Sequence, residues 1–149
     1  MFGPHLTLDL YGCDKDSLND HEKIYKLLDE LPGMISMHKF SDPNVTQIPK
    51  MENSFDQGGV TGFVILVESH ITIHTFPADQ FASIDIFSCK KFDAKFASEY
   101  LIGFFSAEKA ERNMRRRGRE FVKHYPKSTE TAKILASRER EKAIVKQSE

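Results

Sequence analysis

The sequence predicts an α+β fold, a two-layer sandwich in which an antiparallel sheet is covered on one face by two helices. Three observations carry this reading. Short runs alternate apolar and polar residues at the strand period of two, with short joins between them. Two longer segments repeat apolar residues at the helical period. The order of these segments, strands at both ends and in the middle with helices between, suits a single antiparallel sheet. A sheet covered on one face leaves the other face in water, which predicts sheet-on-sheet packing in a homodimer.

Residues 5–10 read HLTLDL, with Leu6, Leu8 and Leu10 on one face, and Tyr11-Gly12-Cys13-Asp14 ends that strand. Asp20 can cap a helix in which Ile24, Leu27, Leu28 and Leu31 form the apolar stripe and which Pro32-Gly33 stops. Residues 34–40 (MISMHKF) alternate weakly, as a second strand does. Residues 41–59 are polar, contain Pro43, Pro49, Gly58 and Gly59, and predict a long loop, of a length that compact domains tend to reserve for function. Residues 61–67, 70–75 and 82–88 are rich in Val, Ile, Phe and Thr and predict three neighbouring antiparallel strands. Asp93 can cap a second helix whose apolar face is Phe96, Ala97, Tyr100, Leu101, Phe104 and Phe105. Residues 110–117 predict a last, basic strand. From Lys127 the chain is mostly charged, with Ile134, Leu135, Ile144 and Val145 as apolar anchors, and reads as a solvated helix or a frayed tail.

The 149 residues suit one domain, and 21 Lys plus Arg against 22 Asp plus Glu give a net charge of −1. No global field therefore favours nucleic acid or an acidic membrane. The 40% hydrophobic and 29% charged content excludes disorder throughout. The longest apolar stretches, 63–67 and 100–105, fall far short of the roughly 18 to 20 residues that cross a bilayer. With no basic, apolar leader at the start, a cytoplasmic, reducing setting is expected. Cys13 and Cys89 make neither a disulfide framework nor a zinc site. Arg112, Arg115, Arg116, Arg117 and Arg119 with Lys123 read either as a phosphate-holding patch or as a solvated strand face.

The segment 67–77, VESHITIHTFP, places Glu68, Ser69, His70 and His74 within seven residues. With a turn at Glu68-Ser69, His70, Thr72 and His74 share one face of the following strand, so hydroxyl and imidazole groups can face one cavity. A hairpin whose polar residues point to water fits the same spacing, and a metal site at His70, His74 and Asp85 lacks a recognised ligand pattern. Cys89, at the end of the strand 82–88, reads either as a reactive thiol or as a small buried hydrophobe.

The string GGVTGFVILVESHITIHTFP, followed by ASIDIFSC, resembles the signature of the small prokaryotic-type S-adenosylmethionine decarboxylases, pyruvoyl-dependent enzymes of polyamine biosynthesis. Gly3 with HLTLDLYGCD, and Gly118-Arg119-Glu120, resemble the family's first strand and its close, so about residues 3–125 are covered. The resemblance implies a decarboxylase domain over residues 1–125, and the charged segment 126–149 has no counterpart in it. It implies a proenzyme that cuts itself between Glu68 and Ser69. The Ser69 hydroxyl attacks the Glu68 carbonyl carbon, the peptide becomes an ester, and loss of the Ser69 α-proton expels the Glu68 carboxylate. The remaining dehydroalanine hydrolyses to a pyruvoyl group.

In the family pattern His74 matches the processing base, a task suited to a group titrating near neutrality. Thr61 falls where a serine usually assists. Cys89 matches the donor that protonates the product carbanion, and the pyruvoyl ketone forms a Schiff base with the substrate amine. Phe55 either matches an aromatic that stacks on adenine or fills the core. Where the family commonly has a glutamate suited to ribose hydroxyls, this chain has Ala78 followed by Asp79, which leaves Asp79, Glu52 or Asp56 for that role. The implied substrate is S-adenosylmethionine and the implied assembly a homodimer of cleaved protomers, with neither nucleic acid nor membrane as partner. A pyruvoyl-dependent arginine or ornithine decarboxylase and an unprocessed, non-catalytic homologue are the alternatives.

Overall fold

The alternating runs become strands of one six-stranded antiparallel sheet in a computed structural model that describes residues 3–121. In chain order the elements are β1 (Gly3–Tyr11), a short α1 (Lys15–Leu18), α2 (His21–Met34), β2 (Asn44–Ile48), β3 (Gly59–Leu66) and β4 (Ser69–Phe76). After a 3₁₀ turn (Pro77–Asp79) follow β5 (Phe81–Ser88), α3 (Ala94–Phe104) and β6 (Lys109–Arg117). Across the sheet the order is β2-β3-β4-β5-β1-β6. The expected α+β sandwich is therefore present. Residues 3–117 belong to one compact unit; from Gly118 the chain belongs to another, of which 118–121 are described. The expected boundary at 125/126 and the charged segment 127–149 lie outside the described residues.

Period-two alternation decides what the sheet buries. Leu6, Leu8 and Leu10 of β1, Val60, Val64 and Leu66 of β3, Ile71 and Ile73 of β4, and Ile84 and Ile86 of β5 all face the helices and are buried. Above them α2, with Ile24, Leu27, Leu28 and Leu31, lies over β2 and β3, and α3 lies over β1. Both helix starts are capped as expected: Asp20 accepts from the Lys23 N–H at 3.0 Å and Asp93 from the Phe96 N–H at 2.9 Å. The opposite sheet face keeps Phe63 and Ile65 at 41% and 44% exposure.

Three sequence expectations are corrected. Pro32-Gly33 does not stop α2; both lie in its last turn. A proline near a helix end removes only one donor, and the stop falls instead at Ser36, whose φ of 58° is left-handed. The N–H of Ser36 then reaches the Gly33 carbonyl and that of Met37 the Pro32 carbonyl, closing the end. Because the helix end consumes residues up to 37, residues 34–40 do not form a strand; only Lys39 bridges to Leu66. Residues 41–59 are not all loop, since β2 pairs with β3 along the sheet edge. Its sequence, NVTQI, buries no residue fully and so shows little alternation. The loop proper is 49–58.

Candidate active site

The hairpin between β3 and β4 turns in two residues, Val67 and Glu68, with Leu66 opposite Ser69. Two-residue hairpins ordinarily place glycine or asparagine at positive φ in the turn. Here the positive φ falls on Ser69, at 147°, a region that non-glycine residues occupy only under strain. The Glu68 carbonyl accepts the N–H of Cys89 at 2.8 Å, so the residue just past β5 polarises the bond before Ser69. Gly3 makes this junction possible: a Cβ there would lie 1.8 Å from the Ser88 carbonyl oxygen and 2.9 Å from the Cys89 Cα.

The Glu68 side chain is 4% exposed. Its Oε2 accepts the backbone N–H of His38 at 3.0 Å, and its Oε1 lies 2.8 Å from His38 Nδ1 and 3.4 Å from Lys90 Nζ. Burial alone raises a carboxyl pKa. The two His38 hydrogen bonds and the positive charge of Lys90 and His38 outweigh it and hold Glu68 down at about 2.

At the other end of β4, Thr61 and His74 face each other in register and Thr61 Oγ1 lies 3.2 Å from His74 Nδ1. A hydroxyl donating to Nδ1 leaves Nε2 to carry the proton in the neutral ring. Ser69 and His74 are therefore not brought together within one chain. Five residues of extended strand separate them, about 16 Å.

Beyond His74, an open cavity of about 370 Å³ is lined by Tyr11, Phe55, Phe76, Asp79 and Phe81. The Tyr11 and Phe81 rings stand 5.2 Å apart and the Phe76 and Phe81 rings 5.7 Å apart. Phe55, 89% exposed, reaches this wall from the loop 49–58. Ala78 does not line the cavity, whereas Asp79, turned by the 3₁₀ segment, does. Glu52 and Asp56, the loop alternatives, do not line it either.

Of the remaining candidates, Cys13 is buried, and burial pushes its thiol up to about 11, which keeps it protonated and inert. The arginines of β6 lie along the sheet edge and are exposed. Among the described residues no three His, Cys, Asp or Glu side chains converge as metal ligands do, and no helix is long and apolar enough to cross a membrane. Sequence reasoning missed His38, Lys90, Tyr11, Phe76 and Phe81. Each is assembled by long-range pairing, and only Tyr11 and Phe76, beside motif residues, gave any local sign.

Comparison with known proteins gives one answer at three levels. Residues 4–118 match the family model described as S-adenosylmethionine decarboxylase. The chain is 38% identical over 110 residues, 73% of its length and 88% of the relative's, to an S-adenosylmethionine decarboxylase proenzyme of Clostridium botulinum. It is 36% identical over 109 residues, 73% and 82% of the two lengths, to one of a Geobacillus species. A crystal structure of the adenosylmethionine decarboxylase from Aquifex aeolicus superposes with a TM-score of 0.65 at 31% identity, covering 78% of this chain and 91% of that one.

Proposed function

Since the chain belongs to the S-adenosylmethionine decarboxylase family, we propose that it is made as a proenzyme, cuts itself between Glu68 and Ser69, and then decarboxylates S-adenosylmethionine. Its product is the aminopropyl donor for spermidine synthesis. The observation that carries this reading is the junction at residues 68 and 69. A strained Ser69 follows a carbonyl already held by the Cys89 N–H.

The chemistry follows from that geometry. Ser69 Oγ adds to the Glu68 carbonyl carbon, and the negative charge that develops on the oxygen is met by the Cys89 N–H. The C–N bond breaks as the amine takes a proton, which relaxes the strain at residue 69 and leaves an ester. Removal of the Ser69 α-proton breaks the Cβ–Oγ bond and releases the Glu68 carboxylate. Hydrolysis of the resulting dehydroalanine frees ammonia and leaves a pyruvoyl group. That group supplies the electron sink for loss of carbon dioxide from a bound amino acid. The thiol of Cys89 holds the proton that the product takes up.

The separation of Ser69 from His74 supports a homodimer of cleaved protomers. Two copies packed by their open sheet faces about a two-fold axis that crosses the strands run their β4 strands in opposite senses. The Ser69 end of one then meets the Thr61–His74 pair and the aromatic cavity of the other. The exposed Phe63 and Ile65 supply apolar area for that contact. The cavity suits the substrate: ring faces accept adenine and attract a sulfonium cation, and the Asp79 carboxylate accepts ribose hydroxyls. Residues 1–125 are the catalytic domain in this reading.

The test is the intact mass of the purified protein under denaturing conditions. Two chains divided after Glu68, the second lighter than a serine-started chain by one ammonia, are expected. A single chain that stays whole on incubation refutes the proposal.

A further inference from the structure

Glu68 enters self-cleavage through its backbone, yet its buried side chain is gripped at both oxygens. The grip comes from two segments. Residues 38–40 lie against the end of β3, where the Val67 N–H donates to the His38 carbonyl at 2.9 Å and the Phe40 N–H to the Ile65 carbonyl at 2.8 Å. From this strap His38 reaches Glu68 with both its backbone N–H and its ring. On the other side Lys90 is fixed by its own N–H donating to Ser88 Oγ at 3.1 Å, and its ammonium lies 3.4 Å from Glu68 Oε1. Residues 89 and 90 thus hold the two ends of one residue, Cys89 the carbonyl and Lys90 the carboxylate.

We propose that His38 and Lys90 are positioning residues for self-cleavage, clamping the Glu68 side chain so that its scissile carbonyl stays on the Cys89 N–H while Ser69 Oγ attacks. The inference rests on the proposed self-processing. In a two-residue turn without glycine, rotation of Glu68 about its backbone is the motion that swings the carbonyl away. A buried carboxylate fixed at both oxygens blocks that rotation. The clamp therefore serves formation of the Oγ–C bond, the step before elimination.

The experiment follows the rate at which fresh precursor divides, with and without hydroxylamine, which cuts an ester at residue 69 without waiting for elimination. His38→Ala and Lys90→Met are expected to divide on the order of 10- to 100-fold more slowly than the parent chain. Hydroxylamine is expected to give no acceleration in them, because the ester itself forms slowly. Lys90→Arg is expected to restore the rate. The Lys90 side chain is 41% exposed, so Lys90→Met leaves the core intact, and matching thermal unfolding in a Ser69→Ala background checks this. Unchanged division, rapid cutting of the variants by hydroxylamine, or a Lys90→Arg chain as slow as Lys90→Met overturns the clamp. A parent chain that never divides overturns the proposed function instead.

Discussion

Co-expression of two disabled chains tests the separation of Ser69 from His74 most directly. One chain carries Ser69→Ala and can form no ester; the other carries His74→Ala and keeps Ser69 without its matching base. Within one chain the two residues stand about 16 Å apart along β4, several times the reach of either side chain. For His74 to act as the base on Ser69, it must then come from a second copy. Removing a general base costs on the order of 10² to 10⁴ in rate, so His74→Ala chains alone divide slowly. Expressed together at equal levels, random pairing places about half of the His74→Ala chains with a Ser69→Ala partner that supplies an intact His74. About half of the His74→Ala chains are thus expected to divide at the parent rate while the Ser69→Ala chains stay whole. Denaturing mass spectrometry resolves the two chains and their pieces. A mixture in which the His74→Ala chains divide no faster than they do alone refutes the two-copy site.

Three further outcomes follow from the same geometry. Cys89→Ala keeps the backbone N–H on the Glu68 carbonyl, so the precursor still divides, while decarboxylation, followed by release of labelled carbon dioxide, falls or is redirected. Phe55→Ala and Asp79→Asn remove a ring face and a carboxylate from the cavity without touching the cleavage junction; KM for S-adenosylmethionine rises by roughly threefold to tenfold with division unchanged. Glu68 has a folded-state pKa near 2 against an ordinary 4.5, so its contribution is complete above about pH 5 and is lost as pH falls from 4.5 toward 2. In a Ser69→Ala background, Glu68→Gln should cost about 1–3 kcal/mol in urea unfolding at pH 6, and the difference should shrink by pH 3.

The central strands were legible because each buries one face and so writes a period of two: Ile71 and Ile73 against Thr72 and His74 are the pattern itself. β2 escaped because at the sheet edge under α2 it buries no residue fully, so its alternation stays faint. The end of α2 was misplaced because proline is a weaker stop than a left-handed residue that closes the last carbonyls, and Ser36 carries no compositional mark of that conformation. Among candidate site residues, Glu68, Ser69, His74 and Cys89 stood out through the family resemblance of residues 59–89, since their spacing alone fits a solvated hairpin equally. The cavity was not legible, since it draws Tyr11 from β1, Phe76 from β4 and Phe81 from β5 to one corner by register alone. His38 could not be read at all; it acts through a strap whose residues have neither strand nor helix periodicity.

That strap bears on how a strained residue survives folding. A backbone held in a sparsely populated region costs of order 1–3 kcal/mol and persists only where its neighbours leave it no alternative. At Ser69 the neighbours are specific. β5 holds the strand through the Ser69–Ser88 pairing, Cys89 holds the preceding carbonyl, and His38 and Lys90 hold the preceding side chain. A glycine or asparagine in the turn would take up the positive φ and leave residue 69 relaxed. With Val67 and Glu68 in those places, the hairpin transfers the strain one residue onward, to the bond that the proposed self-cleavage breaks. Exchange of Val67-Glu68 for Asn-Gly, which removes the Glu68 clamp together with the strain, should therefore give a chain that folds with the same sheet, by circular dichroism, and divides far more slowly. A chain that divides at the parent rate with a relaxed turn would show that the strain plays no part in the reaction.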